Sequence, residues 1–198
     1  RVKGFVEFLP LHASDDLLGQ DWGYFTTSFR AMRESYASNE NEVNQEVMAL
    51  VDTMHGHGIP VILDVVFNHG GELWVKAWGE DVVYRKHDNG DFCHGSGCGS
   101  TVRTENPFIR ELIIETLEEL VECYRFDGFR FDLGALHDKQ TMLEIDRRLP
   151  KHVYLIAEPW ALGGTQWGKE DLAHDFAETR WAVWNDDFRE PAKTFLMG

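Results

Sequence analysis

Cysteine is scarce in this 198-residue sequence: Cys93, Cys98 and Cys123 are the only three. An odd trio is too small for a disulfide framework, so reduced thiols are the expected state. Cys93, His94 and Cys98 share the Gly-rich run FCHGSGCGS, but a structural metal site would need a fourth ligand and usually tighter spacing. No metal site is expected there. Basic residues are scarce too, 19 Lys and Arg against 34 Asp and Glu, for a net charge of −15. Phosphate binding needs a basic face, which argues against nucleic acid as a partner; a neutral polyol substrate and plain solubility both fit. No apolar run is long enough to span a bilayer, so no membrane partner is expected. No signal peptide, repeat or low-complexity segment is seen within these 198 residues. The chain starts at Arg1 without Met, which reads as a cut inside a longer protein. The compartment is left open, with cytoplasm preferred to secretion.

What is present is an alternation of strand and helix signals. VEFLPL (6–11) is a short apolar run. Asn39-x-x-Glu42 resembles a capping box, and Val43, Val47, Leu50, Val51 and Met54 follow at helical spacing, closed by Gly58. IPVILDVVF (59–67) is a β-branched run of the kind covered on both faces. Residues 70–105 hold seven glycines and no clear period. Such a stretch is too long for an ordinary connection and reads as a functional excursion, a loop or small subdomain over the site. Asn106-Pro107 starts a helix with Pro at its first position and an apolar stripe of Ile109, Leu112, Ile113, Leu117, Leu120 and Val121. FDGFRFD (126–132) and HVYLIAE (152–158) are further strands, with a helix over roughly 138–149 between them. RWAVWN (180–185) reads as a fifth strand, and DDFREPAKTF as a helix start.

Repeated strand–helix units imply an α/β fold with a parallel sheet and right-handed crossovers. A closed eight-stranded barrel takes about 250 residues. The 198 residues are therefore expected to form part of a (β/α)8 TIM barrel, about its second to sixth strands, as one partial catalytic domain with the excursion after the third strand.

Three of these strands end in polar groups that a buried strand does not need: DVVFNH (64–69), GFRFD (128–132) and AEPW (157–160). At the C-terminal mouth of a parallel barrel the same groups make a site. Arg130 and Asp132 are two apart and share a face of their strand, while Phe129 and Phe131 pack on the other. Arg130 would hold Asp132 ionised and oriented, as suits a nucleophile; a structural ion pair is the plain alternative. Glu158 follows an aliphatic strand and precedes Pro159 and Trp160. Desolvation there would raise its pKa, as suits a general acid; an exposed loop carboxylate is the alternative. Two carboxylates on neighbouring strand ends can reach the ~5–5.5 Å spacing of a retaining glycosidase. Asp64 is costly to bury alone and would be satisfied near Arg130. His69 at a strand mouth can donate to a sugar hydroxyl or serve structure alone. Tyr24, in DWGYF, can stack on a sugar ring or simply pack its loop.

These ordered motifs resemble those of the α-amylase superfamily, glycoside hydrolase family thirteen. DVVFNH looks like its first signature region, GFRFD its second, AEPW its third, and VEFLPL its second barrel strand. The resemblance implies that Asp132 is the nucleophile and Glu158 the acid/base. It also implies that Arg130 orients Asp132, that Tyr24, His69, Arg130 and Trp160 line the sugar site, and that Asp64 and Asn68 support it from behind. The implied partner is an α-glucan. The resemblance requires no cofactor, and raises calcium only through Asn68. DWGYF, GSGCGSTVRTENPFIRELI, FDLGALHDKQTM and WNDDFRE further resemble pullulanase and isoamylase, the debranching members. Ala135 and Leu136 stand where α-amylases carry Lys-His. Cleavage of α-1,6 branch points is therefore expected, with α-1,4 hydrolysis, branching transglycosylation or noncatalytic glucan binding as alternatives. The third carboxylate of this superfamily is expected beyond Gly198.

Overall fold

The computed structural model describes residues 4–15, 22–70, 78–160 and 176–197. Five strands, β1 (Val6–Phe8), β2 (Val61–Val65), β3 (Gly128–Phe131), β4 (Tyr154–Ala157) and β5 (Trp181–Val183), form one sheet in chain order. Every pairing is parallel. Helix α1 (Val43–Gly56) precedes β2, α2 (Glu80–Val83) and α3 (Pro107–Glu122) lie between β2 and β3, α4 (Lys139–Arg148) follows β3, and α5 (Asp186–Met197) follows β5. This is an α/β fold whose sequential parallel sheet is consistent with part of a TIM barrel.

The strands are shorter than their sequence runs because the polar ends leave the ladder to build the site. All five residues of β2 and all four of β3 are buried. The stripe of α3 (Ile109, Ile113, Leu117 and Leu120) packs into one core with Phe129, Phe131 and Leu155. Each such side chain contributes about 1.5–3 kcal/mol by leaving water. Gly128 is required at the start of β3: a Cβ there would lie 2.6 Å from the Tyr154 Cβ and 2.7 Å from its carbonyl oxygen.

Caps fix where the helices begin. Asn106 Oδ1 accepts from Phe108 N (2.9 Å) ahead of Pro107, and Asp138 Oδ1 accepts from Thr141 N (3.1 Å) at the start of α4. The expected Asn39/Glu42 box is built differently. Glu40–Glu42 form a 3-10 turn and α1 starts at Val43. The carboxylate that reaches back is Glu46, accepting from Ser38 N (2.9 Å) and Asn39 N (3.0 Å). It lies one turn further on because the 3-10 turn lengthens the approach.

The excursion folds back on itself. Antiparallel bridges join His69 to Thr101, Tyr84 to Val102 and Lys86 to Phe92. Val102 N donates to Asn68 O (2.8 Å) and the Tyr84 hydroxyl to Gly70 O (2.7 Å), which pins it beside the end of β2. Residues 71–77 of this stretch lie outside the described residues. Cys93, Cys98 and Cys123 are free thiols. No helix among the described residues is long and apolar enough to cross a membrane.

His12, in the loop after β1, is fully buried, its ring 5.9 Å from that of Phe67 between centroids. Neither ring nitrogen has a hydrogen-bond partner among the described residues. Burial lowers its pKa from 6.5 to about 4. The unfolded chain binds this proton below 6.5 and the folded chain only below about 4, so stability falls as pH falls through that window, by up to ~3 kcal/mol. His12→Leu is expected to keep neutral-pH stability and to flatten this acid decline. Urea unfolding between pH 7 and 4 checks this; an unchanged pH slope would contradict it.

Candidate active site

The parallel register sets Asp64 of β2 directly beside Arg130 of β3. Arg130 Nη1 donates to both Asp64 oxygens (2.8 and 2.9 Å) and to Asp132 Oδ1 (3.1 Å). Its Nη2 lies 3.0 Å from Glu158 Oε2. One guanidinium thus joins carboxylates from the ends of three successive strands. Asp132 and Glu158 bind its two terminal nitrogens and so converge at the C-terminal side of the sheet.

The surrounding contacts fix each carboxylate. Asn68 Nδ2 donates to Asp132 Oδ2 (2.9 Å) and to its carbonyl (2.8 Å). His69 Nδ1 lies 2.6 Å from Asn68 Oδ1, which chains His69 to Asp132 through Asn68. The Tyr24 hydroxyl donates to Asp64 Oδ2 (2.6 Å). Gly23 turns the chain into Tyr24 with φ 81°, and a Cβ there would meet the Pro10 carbonyl oxygen at 2.5 Å. Leu133 N donates to Glu158 Oε2 (2.8 Å), and the Trp160 indole also hydrogen-bonds Glu158.

Every residue named from the sequence as a site candidate, Tyr24, Asp64, Asn68, His69, Arg130, Asp132, Glu158 and Trp160, falls in this one network. Tyr24 joins the network through its hydroxyl, which holds Asp64. Two members were not among the candidates. Leu133 adopts a left-handed backbone (φ 43°, ψ 51°), a conformation that costs a non-glycine residue about 1–3 kcal/mol and clusters at functional sites. Here it aims the N–H after the β3 motif at Glu158. A leucine carries no sequence signal for that. Trp184, just past β5, lies with its ring centroid 4.6 Å from the Arg130 guanidinium carbon. Its signal was an aromatic at a strand end, the place where the other motifs carry function.

Asp64 and Glu158 share one cation in a buried site, and burial opposes the ionisation of each. Burial raises Glu158 above the usual carboxylate range, with the Leu133 N–H and the Arg130 charge pulling it back. Burial likewise pushes Asp64 up to about 7 against the pull of Arg130 and the Tyr24 hydroxyl. Arg130 stays charged. Burial also lowers His69, so its imidazole is neutral at neutral pH and available as a hydrogen-bonding group.

Asn68 spends its amide oxygen on His69 and its nitrogen on Asp132. Among the described residues no group of three or more His, Cys, Asp or Glu side chains could hold a metal ion.

Residues 10–97 match the model of the α-amylase family, described as alpha amylase, catalytic domain. The chain is 32% identical to isoamylase 3, chloroplastic, of Oryza sativa subsp. japonica, covering 98% of this chain and 29% of that protein. It is 33% identical to the glycogen debranching enzyme of Enterobacter sp. (strain 638), covering 89% of this chain and 28% of that one. The crystal structure of a pullulanase from Paenibacillus barengoltzii, in complex with maltohexaose and alpha-cyclodextrin, superposes with a TM-score of 0.82 at 29% identity, covering 92% of this chain and 31% of that one. The chain thus spans under a third of the length of each.

Proposed function

This chain belongs to the α-amylase family, and on that footing we propose that the protein carrying it is a retaining glycoside hydrolase acting on the α-1,6 branch points of α-glucans. One observation carries the reading: a single buried guanidinium clasps Asp132 and Glu158 at adjacent strand ends. The branch-point preference rests on the relatives, whose names are isoamylase, glycogen debranching enzyme and pullulanase.

In this reading Asp132, held by Arg130 and Asn68, attacks the anomeric carbon of the branch glucosyl unit. Glu158, whose hold on its proton is strengthened by burial, gives that proton to the departing C6 oxygen. The carboxylate of Glu158 then takes a proton from the water that hydrolyses the glycosyl-Asp132 ester, and the configuration is retained over two displacements. Asp64 and Tyr24 hold Arg130 in register between the two. The neutral His69 and the Trp160 indole line the sugar site.

Incubation with amylopectin and with pullulan tests the linkage. Release of linear chains from the first, and of maltotriose units joined by α-1,4 bonds from the second, is expected. Shortened linear α-1,4 chains with branches intact would contradict the α-1,6 assignment. New branches on linear amylose would make the protein a transferase.

A further inference from the structure

We propose that Trp184 is a positioning residue that holds the guanidinium of Arg130 in register with Asp132 and Glu158. The inference deepens the glycosidase reading of this site and rests on it.

The contacts of Arg130 are uneven. Its two terminal nitrogens carry every hydrogen bond to the three carboxyls. Its Nε is buried with no hydrogen-bond partner among the described residues. Bonds made only at the terminal nitrogens fix positions in the guanidinium plane, and they resist tilting about the line between those nitrogens poorly. Trp184 supplies the missing restraint, its indole lying over the guanidinium carbon at 4.6 Å. A cation held against an aromatic face is worth about 0.5–2 kcal/mol, the more when desolvated.

The fold places this indole securely. Trp184 N donates to Ala157 O (3.4 Å), so the residue leaves β5 still tied to β4, immediately beside Glu158. The Trp160 ring packs against Trp184 at 5.7 Å between centroids, and the Arg189 guanidinium lies over Trp160 at 5.2 Å. The contacts therefore run Arg130, Trp184, Trp160, Arg189, with a cation at each end and the two tilted rings between. Trp184 is 39% exposed, so it is a lid on Arg130 and not a core side chain, and its replacement leaves the sheet packing intact.

If Trp184 serves by orienting Arg130, its loss weakens the transition state and leaves ground-state sugar binding nearly unchanged. In the protein that carries this sequence, Trp184→Leu is expected to lower kcat on pullulan by roughly 3- to 30-fold, with KM within about twofold. Trp184→Phe, which keeps an aromatic face, should restore most of the lost rate. Trp184→Met should behave as the leucine variant does, and it replaces that variant if leucine fails to fold. Full activity in both non-aromatic variants would overturn the proposal, as would equal impairment of Trp184→Phe and Trp184→Leu. A raised KM with kcat unchanged would overturn it as well, by making Trp184 a sugar platform instead. Should the unsubstituted protein hydrolyse no α-glucan, the functional reading fails separately. The pairing is then read from a Trp184→Leu, Arg130→Lys double-mutant cycle in chemical denaturation, where coupling supports it and additivity overturns it.

Discussion

Asp132→Asn is expected to lower kcat by roughly 10⁴-fold or more, since a nucleophile lost from a unit costs most of what the unit supplies. The fold should survive. The substitution is isosteric, and the amide oxygen can still accept from Arg130 Nη1. The amide nitrogen then faces Asn68 Nδ2, a donor opposed to a donor, at a cost of about 1–3 kcal/mol. The loss of one negative charge beside Asp64 and Glu158 offsets part of this. Steady-state kinetics on pullulan, with circular dichroism to check the fold, measures both. A variant retaining a tenth of the activity would remove Asp132 from the nucleophile's role.

The second large effect is expected on stability. Arg130→Met deletes the cation that Asp64, Asp132 and Glu158 share among the described residues and leaves buried carboxyls facing one another. Breaking a buried ion pair from one side costs about 3–5 kcal/mol. The pH dependence identifies the cause. The orphaned carboxylates are relieved by taking up protons, so the gap between variant and unsubstituted protein should narrow as pH falls from 7 towards 4. Urea midpoints across that range test this. A gap that stays constant with pH would assign the loss to packing and leave the shared-cation arrangement without energetic weight.

Much of this site was legible because it follows from period-two geometry. Arg130 and Asp132 share a face whatever the tertiary structure, and a β-branched run such as 61–65 has to sit in the sheet interior. Once both strands are parallel neighbours, Asp64 and Arg130 meet. The strand–helix order likewise yields a sequential parallel sheet with no further information. The illegible parts depend on local backbone choices that residue type does not announce. Leu133 enters the left-handed region against its own preference, held there by its N–H to Glu158. Glu46 displaces Glu42 as the capping carboxylate because a 3-10 turn intervenes. The Tyr24 hydroxyl reaches Asp64 only because of the turn at Gly23, which no side-chain pattern encodes. Trp184 falls inside the RWAVWN strand run, and its meeting with Arg130 depends on how far β5 is tied to β4, which no local pattern encodes.

In the proposed mechanism Asp132 forms a covalent bond to the sugar. A 5-fluoro-α-glucosyl fluoride, or its maltosyl form, slows hydrolysis of the glycosyl ester more than its formation and so lets the ester accumulate. After incubation, intact-mass measurement should show one added glycosyl unit, and proteolysis with tandem mass spectrometry should place it on the peptide containing GFRFD, at Asp132. A glycosyl unit on any other residue, or complete turnover of the reagent with inverted configuration and no adduct, would contradict it.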